Sequence, residues 1–178
     1  MTSGYVHEPL PEGKYIRLLE LLPSDKHDDM VECNLSSFSL SLAPQYEALS
    51  YTWSATFPQF QMRCNGKGYS VRAQLYNALK RLRRKTQEGF LWIDAICINQ
   101  ASEVEKNHQV PLIRGIFERA QVVLIWLGEE ADDSNMAINF LKALQLLIWV
   151  AVRKFLQRPW FSRIWILQEV AVAKRATI

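Results

Sequence analysis

One carboxylate stands out by its surroundings. Glu169 lies in "RPWFSRIWILQEVAVAK" (Arg158 to Lys174), an apolar stretch with two tryptophans that has the spacing of a helix. A charge among Trp, Ile, Leu and Val is costly unless something balances it. On a helix Glu169 shares a face with Ser162, Trp165, Ile166 and Ala173, so it borders an aromatic surface and not a polar stripe. Burial raises the pKa of such a group, and a neighbouring arginine lowers it. Two readings follow. Glu169 is either a structural carboxylate paired with Arg158, Arg163 or Lys174, or a partly desolvated negative charge held against a ligand.

Other polar residues are expected at the carboxyl ends of apolar strands, where ligands gather in open α/β sheets. Ser50, Tyr51, Thr52 and Ser54 leave the run "YEALSYTW", Asp94 closes "LWID", and Asn99 and Gln100 occupy the loop that follows. Each has a plainer role as well. Asp94 can cap a loop by accepting backbone N–H bonds, and Asn99-Gln100 can shape the entry to the next helix. The acidic loop after Gly128, with Glu129, Glu130, Asp132 and Asp133, reads as a solvated turn. "KRLRRK" (Lys80 to Lys85) reads as the wet face of an amphipathic helix, since no aromatic platform is interleaved with it. Cys97 sits in an apolar setting and reads as buried and inert. The sequence has no P-loop, GxGxxG, GxSxG or HExxH pattern.

The elements that must position these groups alternate along the chain. "YIRLLELL" is expected to be a strand, "MVECNLSSFSL" a weaker one, and "YEALSYTW" a strand covered on both faces. Asn65-Gly66 between two β-like runs marks a hairpin. Leu75, Ala78, Leu79 and Leu82 then fall on one helical face. "FLWIDAI" is a short buried strand. Ser102 and Glu105 form a capping box that opens a helix to about Arg119, weakened or kinked by Pro111 and Gly115. "QVVLIWL" is a further strand, followed by a long helix over about Asn135 to Gln157 and a final one opened by Pro159. This order predicts an α/β fold with a mainly parallel sheet flanked by helices, and β-strand and hairpin additions at the N-terminal side. Residues 1–14 are expected to be a tail and 15–178 one domain, which breaks off in or before a following strand at "RATI".

Composition narrows the function classes. A chain of 178 residues, 49% hydrophobic and 22% charged, is an ordinary globular domain and not a disordered segment. A net charge of +3 does not argue for nucleic acid as a partner. Cys33, Cys64 and Cys97 form no CxxC pair and the three histidines are scattered, so no metal site is expected. The odd cysteine count suits a reducing compartment. The longest apolar run, "ALQLLIWVAV", is well short of the roughly twenty residues a membrane span needs. A cytoplasmic protein is the expectation.

Four blocks in order, "YEALSYTWS", "LWIDAICINQ" with "EKNHQV", "ERAQVVLIWLG" and "RPWFSRIWILQEVAVAK", resemble the motif blocks of fungal heterokaryon incompatibility (HET) domains, from about Arg17 to the C-terminus. Ser54 stands where that family usually has glycine, Phe117 where it usually has tyrosine, and the stretch between "WLG" and "RPW" is short. The resemblance implies an effector of programmed cell death in nonself recognition between fungal cells. It implies a homo-oligomer when active, working with sensing domains or partner proteins. It also implies a distant likeness to TIR domains, whose sheet is flavodoxin-like and some of which cleave NAD with a glutamate in a W-C-x-x-E block. Trp165 and Glu169 reproduce that spacing, with Ile166 in place of the cysteine. On this footing Glu169 is the expected catalytic residue. Trp165, Ser50, Tyr51, Trp53, Asp94, Asn99 and Gln100 are the expected substrate-binding residues, with NAD a substrate and no bound cofactor. The alternative is a non-enzymatic module that signals by self-association.

Overall fold

The computed structural model describes residues 4–26, 28–53, 59–83, 89–131 and 133–157, which fall into two compact units meeting between Glu129 and Glu130. The first unit holds the sheet. Its elements are β1 (Tyr15–Leu21), β2 (Glu32–Ser39), β3 (Tyr46–Tyr51), β4 (Gln59–Cys64), β5 (Lys67–Arg72), α1 (Ala73–Leu82), β6 (Phe90–Trp92), α2 (Asp94–Cys97), α3 (Glu103–Gln109), α4 (Ile113–Arg119) and β7 (Val122–Trp126). In the second unit α5 (Ser134–Leu156) matches the long helix expected there. No described helix is long and apolar enough to cross a membrane.

The strand order is β5-β4-β2-β1-β6-β3-β7. The α/β class and the N-terminal β additions are as expected, and the sheet is mixed. β6, β3 and β7 run parallel to one another, while β1 pairs antiparallel with both β2 and β6. β4 joins β2 in parallel and β5 in antiparallel fashion. The parallel portion is therefore the β6-β3-β7 half, the part of the chain where strands alternate with helices. There the chain moves from β3 to one side, at β6, and then crosses to the other side, at β7. That reversal is the kind of switch point at which α/β folds bind ligands.

Local sequence explains the elements. Asn65 (φ 50°) and Gly66 (φ 72°) both take the left-handed conformation that a two-residue hairpin turn demands. The Asn65 side chain also pairs with the Leu35 backbone, accepting at 2.7 Å and donating at 3.2 Å, which pins the hairpin to β2. Leu75, Ala78 and Leu79 are the buried face of α1, as their spacing predicts. The basic run on its other face is partly used within the molecule. Arg83 donates to the carbonyls of Lys26, Asp29 and Met30, and Lys80 lies 3.4 Å from Asp28. Arg84 and Lys85 are outside the described residues.

The region after β6 differs in detail from the sequence reading. The strand stops at Trp92, and Asp94 opens a single helical turn instead of ending the strand. Ser102 does cap α3, its hydroxyl accepting from the Glu105 N–H at 3.2 Å. The Glu105 carboxylate does not return to Ser102, however. It accepts from both terminal guanidinium nitrogens of Arg17, at 2.5 and 3.0 Å, and from the Asn99 N–H at 2.7 Å. A buried arginine is a stronger claimant on a carboxylate than a single backbone N–H. At Pro111 the α-helix gives way to a 3-10 turn over Val110–Leu112 before α4 begins, because proline brings no N–H and crowds the preceding turn.

Arg17 is 2% exposed, the one charged side chain in the otherwise apolar inner part of β1. Besides Glu105 it donates to the carbonyls of Cys97 and Glu8, at 2.9 and 2.6 Å. One guanidinium thus ties together β1, the N-terminal segment, the end of α2 and the start of α3.

Within the segment expected to be a tail, the described residues 4–14 carry no helix or strand and make contacts to the sheet unit. The Tyr5 N–H donates to the Gly68 carbonyl, and the Tyr5, His7 and Tyr69 rings meet edge to face. His7 Nε2 donates to the Ile96 carbonyl at 2.7 Å. Burial lowers the His7 pKa from 6.5 and nearby Arg17 adds to this, outweighing the Ile96 carbonyl and Glu105. The unfolded chain therefore takes up a proton at His7 before the native one does. Stability should be full above about pH 6.5 and fall as pH drops below it, until the native imidazole also protonates. Urea melts between pH 7.5 and 5 should show this decline, and His7→Gln, which keeps a donor for Ile96, should flatten it. An equal slope in the variant would remove His7 as the cause.

Candidate functional site

The carboxyl ends of β3, β6 and β7 lie along one edge of the sheet, because the three strands are parallel and in register: Ala48 opposite Trp92 and Tyr51 opposite Trp126. What leaves each end decides what a ligand would meet. From β3 come Thr52 and Trp53, from β6 the α2 turn with Asp94, and from β7 the exposed residues Leu127 and Glu129 around Gly128.

Beside the end of β3 is a cleft of about 230 Å³, lined by Tyr51 and Trp53, by Gln59 and Tyr69 to Arg72 of the hairpin strands, and by Leu75, Ala95 and Gln100. Its walls are fixed by hydrogen bonds. Trp53 Nε1 donates to Asp94 Oδ1 at 3.3 Å, and the same oxygen accepts the Ala95 N–H at 2.7 Å. Gln100 Nε2 donates to the Asp94 carbonyl at 2.8 Å, and the Tyr69 hydroxyl to the Ala95 carbonyl at 3.2 Å. The Arg72 guanidinium lies 5.9 Å from the centre of the Trp53 ring, within cation–π range.

Burial is the main influence on the acidic groups around the cleft. Burial raises the Asp94 pKa above 3.8, and the N–H groups of Ala95 and Trp53 pull it back only in part. Burial, and then the Asp94 charge, push the Tyr51 phenol upward, while Tyr69 is pushed up to about 12, chiefly by burial. Neither phenol supplies a phenolate at neutral pH. Cys97 is buried and its thiol is pushed up to about 12 by burial, against the lowering effect of nearby Arg17, so it is no nucleophile. Among the described residues no group of His, Cys, Asp and Glu is placed to hold a metal ion.

The expected site residues divide accordingly. Tyr51, Trp53 and Gln100 line the cleft, and Asp94 stands behind Trp53 as its hydrogen-bond acceptor. Ser50 is exposed on β3 opposite Ile125 and does not line it. Asn99 turns the other way: its side chain accepts the Ala101 N–H at 3.1 Å and its own N–H serves Glu105, which is the helix-entry role. Trp165 and Glu169 lie outside the described residues. Sequence reading missed Gln59, Tyr69 and Arg72, which come from the hairpin that follows β3 in the chain but lies at the other end of the strand order. The Asn65-Gly66 turn signalled the hairpin but not where its strands would lie.

The family model for heterokaryon incompatibility proteins (HET) matches residues 46–169, well over half of the chain. The chain belongs to the HET family. The match begins at the first residue of β3 and takes in the cleft, Asp94, β7 and the Trp165–Glu169 block. The chain is also similar to heterokaryon incompatibility protein 6, OR allele, of Neurospora crassa, with 28% identity over 87% of this chain. It spans 31% of that protein's length. No solved structure matches this HET chain.

Proposed function

We propose that this HET chain is an effector of heterokaryon incompatibility, part of a fungal nonself-recognition response that ends in programmed cell death. We further propose that it acts in the cytoplasm by hydrolysing NAD at the nicotinamide–ribose bond. The family match over residues 46–169 is the observation that carries the incompatibility role. The hydrolytic reading rests on the Trp165–Glu169 spacing within the last block and its likeness to the glutamate block of TIR domains. The β6-β3-β7 order supports a TIR-like reading, since it reverses direction at β3 as flavodoxin-like sheets do.

The chemistry needs little more than one carboxylate. Water adds to the ribose C1′, the C1′–N bond breaks, and its electron pair stays on nicotinamide, which leaves neutral without a general acid. ADP-ribose and one proton are the other products. A negative Glu169 would stabilise the oxocarbenium-like ribose, and Trp165, four positions earlier in the chain, would shape the pocket. The test is nicotinamide release by the purified chain, wild type against Glu169→Gln.

A second reading, self-association without catalysis, is favoured by β7. It is an edge strand among the described residues, and it and the residue after it expose Val122, Val123, Ile125 and Leu127. Exposed apolar edges invite pairing with another chain. Light scattering across a concentration series should show a defined oligomer, and a concentration-independent monomer would count against this reading.

A further inference from the structure

The cleft beside β3 has a feature that the proposed hydrolysis does not require. Trp53 is 44% exposed, yet its orientation is held twice, by the Asp94 carboxylate on its indole nitrogen and by the Arg72 guanidinium near its ring. Asp94 is itself set in place, through its own bond to the Ala95 N–H and through the Gln100 amide on its carbonyl. At the half-exposed mouth of a cleft these two contacts add only modestly to stability. A platform for a flat ligand ring gains a great deal, because a fixed face stacks without losing rotamer freedom on binding.

We infer that Trp53 is a stacking platform for the heterocyclic ring of a nucleotide, with Tyr69 and Arg72 of β5 completing the subsite and Asp94 acting as its positioning residue. This rests on the reading of the chain as acting on NAD for its choice of ligand class. Size limits what enters. At about 230 Å³ the cleft is smaller than the roughly 300–1,000 Å³ of sites that enclose a drug-sized ligand, so it takes one ring with its sugar and not the whole dinucleotide. The other half of NAD must lie outside it. The hairpin β4-β5 therefore has a recognition role, through two residues that no sequence motif marks.

Isothermal titration calorimetry with AMP, nicotinamide mononucleotide and ribose 5-phosphate tests this on the wild-type chain and on Glu169→Gln. At least one mononucleotide should bind both proteins, whichever ring the cleft prefers, and ringless ribose 5-phosphate should not bind. Trp53→Ala should weaken binding by roughly tenfold or more, the scale of a lost base–aromatic stack, whereas Trp53→Phe should stay within a few-fold. Asp94→Ala should weaken it too, and Asp94→Asn, which keeps an oxygen for the indole N–H, should restore it. Absence of mononucleotide binding, or equal binding by Trp53→Ala, overturns the subsite, as does a failure of Asp94→Asn to differ from Asp94→Ala for the positioning role. Nicotinamide release measured in parallel separates the two proposals. Release without Trp53-dependent binding removes the subsite and leaves hydrolysis, and Trp53-dependent binding without release does the reverse.

Discussion

Glu169→Gln should lower nicotinamide release by roughly 100-fold or more, the scale on which removal of one electrostatic stabiliser of a transition state is felt. Glutamine keeps the shape and one acceptor oxygen of glutamate but not the charge, so the loss isolates the charge on the developing oxocarbenium. The thermal melt of the same variant decides between the two roles open to this residue. A carboxylate that fixes its helix through Arg158, Arg163 or Lys174 should lower the melting temperature when neutralised. A catalytic carboxylate should leave it unchanged or raise it, because a charge kept for function is kept at the expense of stability. Full release by the variant would assign Glu169 to structure.

The second large effect is on folding. Arg17 and Glu105 form a two-pronged ion pair whose side chains are 2% and 13% exposed. Removing one partner strands the other charge in a dry place, so Arg17→Met should destabilise the chain by about 3–5 kcal/mol. For a chain of this size that is a fall in melting temperature of roughly 10 °C. The double change Arg17→Met with Glu105→Leu should recover part of it, since no charge is left stranded, while the Cys97 and Glu8 carbonyls and the Asn99 N–H still lose their partners. Acid acts on the same pair. Burial works to raise the Glu105 pKa, but the hydrogen bonds from Arg17 and the Asn99 N–H, with the Arg17 charge, outweigh it and hold the value below 4.5. The native carboxylate thus resists protonation more than the unfolded one. Its contribution is complete above about pH 4.5 and is lost as pH falls through the lower native value. Denaturation of wild type and Arg17→Met across this range measures both effects. A variant within about 1 kcal/mol of wild type would show that the pair is worth little.

These two residues also show what can be read from a sequence and what cannot. Period and punctuation are local, and they located β3, the Asn65-Gly66 hairpin, α1, the break at Pro111 and the long α5. Side-chain partnership across the fold is not local. Arg17 meets Glu105 across 88 positions, and no spacing rule relates them, although an arginine inside an apolar strand and a glutamate at a capping position were each visible. Asn99 and Gln100 make the same point at close range. They look equivalent in sequence, but the shorter amide closes its own turn on Ala101 while the longer one reaches the Asp94 carbonyl and lines the cleft. Tyr69 and Arg72 read as ordinary hairpin residues. Only the packing of β5 and the start of α1 against the end of β3 gives them a site to belong to.

Cleavage of NAD is the reaction that matters most. Purified chain at a series of rising protein concentrations, incubated with NAD and followed by chromatography of the products, should release nicotinamide and ADP-ribose in equal amounts. The rate per molecule should climb as the chain assembles. No nicotinamide at any concentration, in samples shown by light scattering to be assembled, would contradict it.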